Sequence, residues 1–109
     1  MLDENTIRDM VAEGYEAAEA GVELRATLRR ASDPTDPERR KQLHAAVRRL
    51  RKAMYPVRRA LGQLPYLPVS SELEAELRAV SDTCQRERRK LRKMLQDPVS
   101  TRRYRGRAS

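Results

Sequence analysis

Residues 36–64, DPERRKQLHAAVRRLRKAMYPVRRALGQL, read as one long amphipathic helix. Asp36 is a good N-cap, and Pro37 takes the first helical position, where its missing N–H costs nothing. Leu43, Val47, Leu50, Met54, Val57, Leu61 and Leu64 recur at three- and four-residue steps and make one apolar stripe. Pro56 lies inside the pattern and predicts a kink or break near Tyr55. A helix with one such stripe must bury it against other elements, so the search moves outward for partners.

Upstream, Ile7, Val11, Gly14, Ala18, Gly21 and Leu28 fall on one helical face between about Asn5 and Ala31. Two glycines seven apart on an apolar face, with Ala17 and Ala18, predict close backbone approach to another helix, of this chain or of a second copy. Gly14, Ala18 and Gly21 are therefore candidate self-association residues. The opposite face carries Asp9, Glu16 and Glu23. Downstream, GQLPYLPVSSE (62–72) is a loop, and Ser71 with Glu74 has the capping-box pattern that opens a third helix. Leu73, Leu77, Val80, Cys84, Leu91 and Met94 mark its inner face, and Asp97-Pro98 ends it. The expected fold is all-α: three long antiparallel helices in an up-down-up bundle over residues 1–97, then a flexible Arg-rich tail over 98–109.

Arg25 and Glu87 test that topology. Each lies on the apolar line of its helix, and the first and third helices of such a bundle run parallel. The two are predicted to pair, because a lone buried charge is expensive; the alternative is that they line an opening in the bundle.

The totals support one modest aliphatic core. The chain has 109 residues, no Phe or Trp, and one cysteine, so no intrachain disulfide forms and a reducing, cytoplasmic setting is expected. No apolar run suits a membrane span, and MLDENTIRDM is acidic where a signal peptide is basic. One His and one Cys make no zinc set, no Gly-rich phosphate loop occurs, and no cofactor or enzymatic activity is expected. Arg39 and His44 have R-x4-H spacing, which resembles the ribonuclease motif of HEPN domains. Arg40 stands where that motif has a polar residue, and RNA cleavage through His44 is the remotest reading. A helix-turn-helix around LPVSSELEAELRAV (67–80) is rejected, since Glu72, Glu74 and Glu76 open its would-be recognition helix and repel phosphates.

Charge carries the functional signal. The net charge is +8, and 20 of the 24 bases are Arg, a bias that suits bidentate anion contact but also follows from GC-rich coding. From Arg39 to Arg59 there are nine bases and no acid. Lys41, Arg48, Lys52, Tyr55 and Arg59 share one narrow arc opposite the apolar stripe, over roughly 27 Å, with Arg49, Arg51 and Arg58 beside it. Arg86, Arg89 and Lys93 face outward on the third helix, interrupted by Asp82. A solvated face explains charge but not one sign without relief.

An anionic partner is expected, nucleic acid first. Basic side chains would track phosphates with low sequence specificity, and Tyr55 would stack on an unpaired base. Arg102, Arg103, Arg105 and Arg107 extend the basic surface into the tail, and Arg105-Gly106-Arg107 resembles the core of an AT-hook, with Ala108 where a proline usually follows. The second reading is an assembly or adaptor protein, for example a phage-particle component. In it the acidic first helix of one copy, or an acidic protein surface, meets the basic face of another. No membrane partner is expected.

Overall fold

The computed structural model describes residues 2–31, 36–67 and 69–96. Three helices, α1 (Glu4–Ala31), α2 (Pro37–Gly62) and α3 (Ser71–Leu95), pack against one another in an up-down-up bundle, with a 3-10 turn at Leu64–Tyr66 between the last two. The tail arginines Arg102, Arg103, Arg105 and Arg107 lie outside the described residues.

Each helix starts on a side-chain cap. The Asp3 carboxylate accepts from the Thr6 N–H at 2.7 Å, and that bond is the main cause holding its pKa below the ordinary value. Asp36 accepts from the Glu38 N–H at 2.9 Å, with Pro37 in the first turn as expected. At α3 the expectation is one residue off. Ser70, not Ser71, caps the helix, its Oγ accepting from the Leu73 N–H at 3.2 Å. The residue three beyond Ser70 is then Leu73, so no carboxylate reaches back to complete a capping box. Glu74 instead accepts from Arg78 one turn on, at 3.1 Å.

Of the kink or break expected near Tyr55, the break is absent, because α2 runs on past Pro56 to Gly62. Proline leaves the Lys52 carbonyl without its helical donor, but Lys52 is exposed and water can bond there. Met54, Val57 and Ala60 are buried on either side of Pro56, and this packing outweighs the lost bond.

The core is aliphatic. Ile7, Leu43, Leu50, Val57, Leu73, Leu77, Val80, Cys84 and Leu91 are its largest fully buried side chains. Leu61, Leu64 and Met94 reach it only in part. Burial raises the Cys84 thiol pKa, and its Sγ donates to the Gly14 carbonyl at 3.2 Å.

That contact belongs to the tightest seam, between α1 and α3. A methyl group at Gly14 would sit 2.6 Å from Cγ2 of Val80, and one at Gly21 would sit 2.8 Å from Cγ of Glu87. The neighbour that the two glycines require is therefore α3 of the same chain. Gly14, Ala18 and Gly21 are all buried there, so a second copy would have to displace α3 to use them. For Gly14→Ala, helix propensity gains about 1 kcal/mol. Crowding a buried, β-branched Val80 that has little rotamer freedom costs about 1–3 kcal/mol. The expected result is a net loss in urea denaturation that Val80→Ala in the same chain relieves.

Arg25 and Glu87 pair as the topology requires. Arg25 donates from Nε to Glu87 Oε2 at 2.5 Å and from an Nη to Oε1 at 2.7 Å, a bidentate bond between side chains only 12% and 4% exposed. That bond, more than the opposing burial, raises the Arg25 pKa. Among the described residues no buried side-chain polar atom lacks a hydrogen-bond partner.

Candidate nucleic-acid interface

With Leu43, Leu50 and Val57 turned inward, α2 presents Lys41, Arg48, Lys52, Tyr55 and Arg59 on its exposed side. The Arg59 guanidinium lies over the Tyr55 ring, 5.9 Å from its centre, and Tyr55 is 65% exposed. Arg39, one of the nine bases, is buried on the inner side instead. His44 is exposed.

The two flanks of α2 differ. Toward α1, Arg49 faces Glu13 at 3.4 Å and Glu16 at 4.0 Å. These ion pairs are solvent-exposed and worth under about 1 kcal/mol each, so they divert Arg49 without locking it. Toward α3, Arg51 and Arg58 meet no carboxylate among the described residues; they stand by Arg88. Arg88 is half-buried, and its pKa is held below the ordinary arginine value, first by burial and then by repulsion from Arg92, Arg58, Arg51 and Arg89. Arg51, Lys52, Tyr55, Arg58 and Arg88 line an open groove whose apolar floor includes Met54.

Of the expected α3 residues, Arg89 and Lys93 are exposed, and Arg86 is drawn into an ion pair with Asp82. Arg88 is the functional candidate that helix counting misses. It stands four residues after Cys84 and three before Leu91, so the count assigns it to the inner line. The signal was there to be used: an arginine in a core register, with another at Arg92 one turn on, must sit at the edge of the bundle with its head outside.

Among the described residues no group of His, Cys, Asp and Glu could hold a metal ion, and no helix is long and apolar enough to cross a membrane. Comparison with protein-family models, curated proteins and solved structures returns no match to this chain.

Proposed function

We propose that this protein is a non-enzymatic nucleic-acid-binding protein whose affinity comes mainly from phosphate contacts along α2 and the late turns of α3, with low sequence specificity. One observation carries the reading. Arg48, Arg49, Arg51, Lys52, Arg58 and Arg88 line one groove, and of these, among the described residues, only Arg49 has a carboxylate in ion-pair range. Uncompensated positive charge of this density attracts polyanions and releases their counterions on binding.

The test is fluorescence anisotropy of labelled single-stranded and duplex nucleic acid across a salt series. The expected result is an affinity falling linearly in log[salt]. Absence of binding to every probe at low salt would overturn the reading. The exposed acidic row Asp9, Glu16 and Glu23 on α1 favours a second reading, in which the basic face docks on an acidic protein surface such as another copy. Salt-sensitive self-association without nucleic acid would support it.

A further inference from the structure

The basic surface has acidic borders. On the α1 side Asp9, Glu13, Glu16 and Glu23 are exposed, and two of them already engage Arg49. Past the end of the ridge, by Leu61 and Gly62, the first turns of α3 carry Glu72, Glu74 and Glu76, and Glu74 engages Arg78. What remains is a track along α2, bordered by carboxylates on its α1 side and joined on its α3 side by Arg88.

A duplex matches this outline poorly. It presents two rows of phosphates, about 12 Å apart across the major groove, whereas packed helix axes lie about 8–10 Å apart. With one row on the ridge of α2, the other falls over a neighbouring helix. On the α1 side that neighbour offers the carboxylates of Glu13 and Glu16. A single strand has one row and stays on the track.

Two side chains add chemistry suited to a strand. Tyr55 stands on the ridge, mostly exposed, with Arg59 already against its ring, an aromatic platform for a base that is not paired. Arg88 lies at the seam of α2 and α3, half-buried, among arginines and without a carboxylate. In the free protein such a residue opposes folding, and a phosphate seated there removes the opposition.

We propose that the occupant of this track is one unpaired nucleic-acid strand, with a phosphate seated among Arg51, Arg58 and Arg88 and a base stacked on Tyr55. This rests on the nucleic-acid reading above and narrows it to a substrate class.

The experiment uses the full chain, an oligothymidylate of about 15 nucleotides, and the same strand annealed to its complement. The strand binds more tightly than the duplex at equal salt. Tyr55→Ala weakens strand binding by about fivefold or more and Tyr55→Phe by under about twofold, as loss and retention of one stacked ring predict. Arg88→Gln also weakens strand binding, yet raises the melting temperature of the free protein, a pairing of effects that mere loss of structure does not produce. A duplex bound as tightly as the strand, or equal losses on both from Tyr55→Ala, overturns this inference and leaves the broader reading standing. Failure of both probes to bind overturns both.

Discussion

Glu87→Ala destabilises the protein by about 3–5 kcal/mol, the cost of leaving a buried charge without its counterpart. Its effect is large because of what it leaves behind. The Arg25 guanidinium is 12% exposed and spends two donors on Glu87, so without the carboxylate it must stay charged in poor contact with water. A domain of this size has a total stability of about 5–15 kcal/mol, so about a fifth of it or more goes. Urea denaturation followed by far-UV circular dichroism measures the effect as a lower midpoint at unchanged slope. Replacing both residues with methionine is the informative control. It removes the two desolvation costs together, so the double variant should recover most of the loss or exceed the parent chain. A single-variant loss below about 1 kcal/mol would mean that solvent reaches Arg25 as it reaches a surface pair.

Neutralising Arg48, Arg51, Lys52 and Arg58 together to glutamine is the corresponding experiment for binding. Each phosphate contact on a single strand contributes about 0.7 to the slope of log K against log[salt], so four lost contacts flatten the slope by about 3. At about 50 mM salt the same term amounts to roughly a thousandfold loss of affinity, and it shrinks as salt rises. Glutamine has nearly the helix propensity of lysine and arginine, and all four residues are exposed, so the bundle should persist. A slope that stays steep in a folded variant would move the phosphate contacts off α2 altogether. A matched variant at Arg8, Arg29, Arg30 and Arg78, all exposed and outside the proposed track, controls for net charge, since it also removes four of the eight excess positive charges.

Much of this arrangement was legible in the residues alone, and the exceptions have a common cause. Apolar periodicity found all three helices because burial is decided one face at a time. Arg25 and Glu87 could be paired from sequence because a charge on an apolar line requires a partner, and parallel helices offered only one. The misjudged points turned on geometry beyond the local pattern. Pro56 reads as a kink or a break when only its own hydrogen bond is counted, and burial of Met54, Val57 and Ala60 around it goes with a helix that does not break. Of two adjacent serines, the capping-box rule selects Ser71 by its acid three residues on, whereas the chain leaving the Leu64–Tyr66 turn delivers Ser70 to the helix end. Gly14 and Gly21 demanded a close neighbour, and only the packed bundle could say that it is α3. Arg88 was hidden for the opposite reason, since its register matched the core and its head group did not. Where positive charge survives unpaired is also a packing result, set by which flank of α2 meets Glu13 and which meets Arg88.

The seam of arginines between α2 and α3 makes the stability of this protein a property of its solution. Any anion that settles there binds the folded chain and has no equivalent site on the unfolded one, so it stabilises by mass action. On the proposed reading, the melting temperature is expected to be higher in phosphate or sulfate than in chloride at equal ionic strength. On that reading, protein stripped of polyanion during purification is expected to be its least stable form, and an assay begun from that form starts with the mutual repulsion of these side chains unrelieved.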